Sequence, residues 1–143
     1  MSEQNVQVVQ QAYAAFGRGD VDGILDVCAD NVVWEGVIGA SANVPHAGIR
    51  HGKAEVREFF QQVAESITFQ RFEPREFIAQ GDRVVVLGSY AGTANPTGKT
   101  MESDWVMVFR LNGGKVSEFR EFTDSAKLNA AYEPRAAAAT ARG

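Results

Sequence analysis

The sequence predicts an α+β fold, with helices leading and a mostly antiparallel sheet following. Three observations predict it. Apolar residues in the first third recur at helical spacing and break at glycines. The second half holds four strand-length apolar segments divided by glycine-rich turns. No linker, repeat or change of composition separates the halves, so the 143 residues form one domain, large enough for a real core.

Taken in order, Val6, Val9, Ala12, Tyr13 and Phe16 make one stripe of an amphipathic helix over Val6–Phe16, with Gly17 and Gly19 as its stop. Asp20 is placed to cap a second short helix with Val21, Ile24, Leu25 and Cys28 on one face. Cys28 then reads as inert core. Asn31–Ile38 is a strand carrying Trp34, and 39–51 is a loop rich in Gly, Ala, Ser and Pro. Ala54–Ile67 is a third helix with Val56, Phe59, Phe60 and Val63 as its stripe. Strands follow over Phe69–Ala79, Arg83–Ala94, Thr100–Leu111 and Lys115–Thr123. Their turns are Gly81-Asp82, Asn95-Pro96-Thr97-Gly98 and Asn112-Gly113-Gly114, the last a strong hairpin signal. Asp124 is the expected cap of a closing helix, Ser125–Tyr132. The domain is expected over 1–133, with the alanine-rich 134–143 a frayed tail.

Composition narrows the function classes. Net charge is −4 with no basic stripe, which argues against nucleic acid. The single cysteine forbids an internal disulfide and fits a reducing compartment. The N-terminus lacks the pattern of a signal peptide, and no apolar run approaches a membrane span, so a cytoplasmic protein is expected, with no membrane partner. There is no Gly-x-Gly-x-x-Gly, phosphate loop or metal-ligand cluster, so no cofactor or metal is expected. The strand Val84–Leu87 is apolar at every position, and Val106 and Val108 face away from Trp105 and Met107. Helices cover only one face of such a sheet, so a homodimer through the other is expected.

Val8-Val9-Gln10 through Phe16, Gly19-Asp20, Trp34, Pro45-His46-Ala47-Gly48 with Gly52, Val56-Arg57-Glu58-Phe59-Phe60, Gly81-Asp82 and Phe119-Arg120-Glu121-Phe122-Thr123-Asp124 together resemble the SnoaL-like family of the nuclear transport factor 2-like superfamily. The resemblance covers about residues 5–130. It implies a cone-shaped α+β barrel, three N-terminal helices on a strongly curved sheet round a deep apolar pocket, and dimers. Ketosteroid isomerase, polyketide cyclases, limonene epoxide hydrolase, scytalone dehydratase and non-catalytic binding modules share this superfamily, so the fold does not name a function.

Steroid isomerisation needs a carboxylate base, a tyrosine and a protonated aspartic acid. At the corresponding positions this sequence has Gly36, Ala12 and Met107, with Phe60 for a supporting tyrosine. Tyr13 and Glu35 lie one residue away, a turn of about 100° on a helix and the opposite face on a strand. That mechanism is therefore rejected. The hydrolase's Asp-Arg-Asp arrangement is missing too, since Arg120 and Glu121 are adjacent on one strand and point oppositely.

The remaining chemistry centres on Glu121. The strand face lining the pocket in the family corresponds to Phe119, Glu121 and Thr123. A carboxylate between Phe119 and the indoles of Trp34 and Trp105 would be desolvated, with a raised pKa suited to acid–base work. The alternative is a wet rim or a bond to a backbone donor. His46 sits in the loop over the pocket mouth, as an assisting catalytic group or a plainly exposed side chain. His51 suits a capping or solvated role. Trp34, Phe60, Trp105 and Met107 form the expected apolar wall, or simply core. Tyr90 offers a hydroxyl to the pocket or faces the dimer interface, and Asp104 belongs to the interface or the strand end. Two functions stand open. One is a cofactor-independent isomerase, cyclase, dehydratase or hydrolase of an apolar, cyclic or polyketide-like metabolite, using Glu121 and His46. The other is a non-catalytic module for apolar-ligand binding or dimerisation.

Overall fold

The computed structural model describes residues 2–134; the expected tail lies, from residue 135 on, outside them. The elements are α1 (Ser2–Gly17), α2 (Val21–Asp26), β1 (Cys28–Gly36), β2 (Gly48–His51), α3 (Gly52–Ser66), β3 (Ile67–Gln80), β4 (Arg83–Ala94), β5 (Lys99–Asn112), β6 (Lys115–Thr123) and α4 (Ser125–Tyr132). No described helix is long and apolar enough to cross a membrane.

The helix pair at the start follows from local chemistry. Gly19 takes a left-handed φ of 71°. Its N–H donates to the Phe16 carbonyl (3.0 Å) and the Asp20 N–H to that of Ala15 (2.8 Å), a Schellman closure of α1. The Asp20 carboxylate then accepts the Gly23 N–H at 2.9 Å and caps α2. The Asp124 carboxylate likewise accepts the Lys127 N–H and starts α4. At α3 the cap is different. The His51 side chain makes no capping bond and is exposed, while the His51 N–H donates to Glu55 at 2.7 Å.

The six strands run in the order β2-β1-β6-β5-β4-β3, with β1 parallel to β6 and every other pair antiparallel. The sheet is curved but open: β2 and β3 are its two edges, so the cone does not close into a barrel. Bulges between Phe69 and Arg71 and between Pro74 and Glu76 mark the bends of β3. The helices cover the concave face. Met101, Ser103, Trp105, Met107, Phe109 and Leu111 of β5 are buried there, while Val106 and Val108 stay half-buried on the convex face.

Two expectations about the elements change. Residues 39–51 are not all loop, because Gly48–His51 pairs with β1 from Val33↔His51 to Gly36↔Gly48. Gly-Ile-Arg-His carries no alternation; it is the free edge of β1 that recruits it. Cys28 belongs to β1, not to α2, since the helix ends at Asp26 and Cys28 already pairs with Val116. It is buried core nonetheless, and burial pushes its thiol up to about 11.

Gly88 makes the tightest fit in the sheet. A Cβ there would stand 2.3 Å from the Trp105 ring and 2.4 Å from the Glu73 carbonyl oxygen. Neither a packed indole nor a ladder carbonyl gives way easily. Gly88→Ala is expected to destabilise the fold by about 1–3 kcal/mol, read as a lowered urea midpoint. An unchanged midpoint would show that the indole moves freely.

Candidate active site

A cavity of about 80 Å³ lies between the concave sheet face and α1 and α3. Ala12, Tyr13, Phe16, Ile24, Trp34, His46, Phe59, Phe60, Val63, Phe69, Phe72, Met107, Phe109, Phe119 and Glu121 line it. Trp34 and Phe119 are cross-strand neighbours between β1 and β6, and their rings stack at 3.9 Å. Phe60 meets Trp34 edge-on at 5.5 Å. Glu121 pairs with Met107 across β5 and β6, so the carboxyl is delivered into this wall by the strand register.

Burial among these rings raises the Glu121 carboxyl to about 7, against an opposing hydrogen bond from the Val37 backbone N–H. The residue keeps some exposed surface, yet desolvation outweighs that bond. Val37 is the one described non-glycine residue at positive φ, 41°, which is a strained conformation for a β-branched side chain. The strain sits where β1 turns away and presents its N–H to Glu121, and the next N–H, of Ile38, donates to the Glu121 carbonyl at 2.9 Å.

Tyr13 is the residue that sequence reasoning set aside. Its hydroxyl donates to the Met107 sulfur at 2.9 Å, next to Glu121. Burial and then the Glu121 charge hold its pKa well above the ordinary value, so it is a neutral donor. A rotation of about 100° from Ala12 does not turn it away. The helix α1 lies across the sheet, and both Ala12 and Tyr13 line the cavity. The available signal was its place in the apolar stripe of α1, which identified it as packing only.

Glu35 fares otherwise. It points to the convex face, where Arg120 stands 3.5 Å away, so Arg120 and Glu121 do face opposite sides. Gly36 has no room for the isomerase base in any case. A Cβ there would be 2.6 Å from the Phe59 ring and 3.2 Å from the His46 carbonyl oxygen.

His46 is not an exposed loop side chain. It is buried against the cavity, with Nδ1 3.0 Å from the Ser66 hydroxyl and its ring edge-on to Tyr132. Burial, and secondarily Arg50, lower it to about 4, so it is neutral in the range where cells work. Of the other expected site residues, Trp34, Phe60, Met107 and Phe119 line the cavity; Tyr90, Trp105 and Thr123 do not. Trp105 is shut behind the wall, stacked on Phe72 (5.1 Å) and Tyr13 (5.9 Å). Tyr90 stands beside Thr123, whose hydroxyl reaches Ser103 and the Asp104 carbonyl. Burial first of all pushes Tyr90 up to about 12. Among the described residues no group of three or more His, Cys, Asp or Glu is placed to hold a metal ion.

The SnoaL-like domain model matches residues 9–119. The chain belongs to the SnoaL-like family. A nuclear transport factor 2-like protein from Burkholderia xenovorans LB400 is 36% identical, over 93% of this chain and 98% of its own, with a TM-score of 0.84. A nuclear transport factor 2-like protein of unknown function from Burkholderia pseudomallei K96243 is 32% identical, over 92% and 98%, with a TM-score of 0.79. TerC, crystallised with polyporic acid, is 30% identical, over 90% and 98%, with a TM-score of 0.80. No curated protein matches. What sets the site of this SnoaL-like chain apart from an ordinary apolar core is its polar set: one carboxyl poised near neutrality, one tyrosine hydroxyl on a thioether, one indole N–H and one neutral histidine.

Proposed function

We propose that this SnoaL-like protein is an acid–base enzyme for a small, apolar, carbonyl-bearing molecule of cyclic or polyketide-like type. The carrying observation is the carboxyl of Glu121, in an aromatic cavity and half-ionised near neutrality. A carboxyl at that point donates and accepts protons at the same pH. As carboxylate, Glu121 takes a proton from carbon next to a carbonyl. The C–H pair becomes the enolate and the charge moves to the carbonyl oxygen. Glu121 then returns the proton to another carbon, which is isomerisation. Alternatively the enolate attacks a second carbonyl, and Glu121 protonates the new alkoxide, which is cyclisation. His46, being neutral, assists as a hydrogen-bonding group and not as an acid. The 30% identity to TerC, crystallised with polyporic acid, supports a small organic ligand.

Deuterium exchange tests this without knowledge of the natural substrate. A panel of small cyclic and aryl ketones is incubated with the protein in D₂O near neutrality and read by mass spectrometry. Exchange above the buffer rate is expected for at least one member. A panel that exchanges only at the buffer rate would speak for a non-catalytic binding module instead.

We further propose that a second copy covers the convex face. Val85, Leu87, Val106, Val108 and Phe122 are half-buried there and Ile78 is 48% exposed, which supports an apolar interface. Analytical ultracentrifugation at micromolar concentration should give twice the chain mass; a monomer would overturn this.

A further inference from the structure

His46 belongs to a buried polar knot built on Ser66, the last residue of α3, which is 4% exposed. The Ser66 carbonyl is taken twice. The Tyr132 hydroxyl donates to it from α4 at 2.8 Å, and the Asn95 N–H donates to it at 2.9 Å. The Ser66 hydroxyl has one partner among the described residues, His46 Nδ1, at 3.0 Å. Phe59 and Tyr132 hold the imidazole edge-on from two sides.

Hydrogen-bond supply fixes the tautomer. A proton on Nδ1 would go to the Ser66 oxygen, and the Ser66 O–H would then have no acceptor. A buried hydroxyl proton left unpaired is costly, and native folds rarely keep one. With Nδ1 bare, the Ser66 O–H donates to it, both atoms are satisfied, and the ring proton stands on Nε2. Nε2 has no partner among the described residues, and unlike the indole nitrogens of Trp34 and Trp105 it is not sealed off from open space. The ring lines the cavity. Burial, and secondarily the Arg50 charge, keep it neutral. Arg50 is itself held by the Ala47 carbonyl and the Gln62 side chain.

On the reading of the cavity as the ligand site, we infer that Ser66 locks His46 in the Nε2–H tautomer, so that the cavity offers a fixed, uncharged N–H donor and takes a ligand with an uncharged acceptor oxygen there, such as a ketone or ester carbonyl. Ser66 does not line the cavity, so it is a positioning residue that acts through the ring. The same tautomer removes His46 as a base toward the ligand, because the nitrogen open to the cavity already holds its proton. His46 and Glu121 meet the same end of β1. The Val37 N–H bonds Glu121, and Gly36 before it packs on the His46 carbonyl.

The chain has two histidines, and His46→Phe assigns their ring ¹⁵N signals. Long-range ¹H–¹⁵N spectra near neutrality separate a protonated ring nitrogen from a bare one. His46 should show a protonated Nε2 and a bare Nδ1, and Ser66→Ala should turn that pattern into a mixture. The ligand probes are 1-indanone and indane, one ring system with and without the carbonyl. Indanone should move the Nε2 proton downfield, and indane should not. Ser66→Ala should weaken indanone roughly three- to tenfold and leave indane unchanged. A bare Nε2 in the wild type, or a tautomer that Ser66→Ala does not disturb, would overturn the inference and leave the reading of the cavity standing. So would indanone that shifts the Ala12 methyl but not Nε2. If neither molecule moves the Ala12 methyl or the His46 ring, the inference and the reading of the cavity both fall.

Discussion

Glu121→Gln lowers the rate of ketone exchange about 10²- to 10⁴-fold, the usual contribution of a positioned acid–base group. The amide keeps the size and the hydrogen-bonding reach of the carboxyl but cannot carry the proton. Ligand binding therefore survives while turnover is lost. In the wild type, kcat/KM rises with pH and levels above about 7, because the carboxylate form must be present to take the proton. The variant loses that rise along with the rate. A Glu121→Gln protein that exchanges at the wild-type rate would remove Glu121 from the mechanism and leave the cavity without a carboxylate base, since Glu35 lies on the other face of the sheet.

The second large effect is on stability. Glu121 is raised from 4.5 to about 7 in the fold. Below 4.5 it is protonated in both folded and unfolded chains and contributes nothing. Between 4.5 and 7 the unfolded chain releases the proton and the folded chain keeps it, so stability falls as pH rises. Above 7 the penalty is constant, at most about 3 kcal/mol. His46 runs the other way, lowered from 6.5 to about 4. As pH falls below 6.5 the unfolded chain takes up a proton that the folded chain refuses, and stability drops until about pH 4. Over the shared window the two slopes oppose each other, and the wild type hides both. Glu121→Gln should therefore gain stability relative to wild type at pH 8 and little at pH 4. His46→Gln should show its relative gain at pH 4 and none at pH 8. Urea unfolding of the three proteins at the two pH values checks this. Equal differences at both values for either variant would mean that its parent group titrates normally in the fold.

Most of the fold was legible because local chemistry dictates it. Gly19 and Asp20 force the helix break, and Gly113-Gly114, both at positive φ, force the last hairpin at the turn expected. Strands β4 and β6 begin and end at the residues expected for them. What escaped was decided by neighbours distant in the chain. β2 exists through the edge of β1, and Cys28 became a strand residue because Val116 pairs with it. An open sheet and a closed barrel share the same strand patterns, so the missing contact between β2 and β3 left no mark in the sequence.

The site divides in the same way. Face parity along β6 sufficed to send Glu121 inward and Arg120 outward. Parity also put Trp105 and Thr123 on the inner face and left Tyr90 open between the pocket and the interface, but it cannot say which inward residues meet space and which meet each other. Trp105 was taken by Phe72 and Tyr13, and Tyr90 by Thr123. His46 came from a loop, where pattern gives no depth, and was found buried on Ser66. Tyr13 was visible only as one more apolar residue of α1, because its role depends on the Met107 sulfur and on Glu121 across the sheet.

The state of one carboxyl decides whether the cavity is an acid–base site. With glutamate labelled at its side-chain carbon, ¹³C NMR follows the Glu121 carboxyl directly, assigned by its loss in Glu121→Gln. A titration midpoint near 7 is the result predicted for a desolvated acid–base group in the cavity. A midpoint in the ordinary glutamate range, near 4.5, would contradict it.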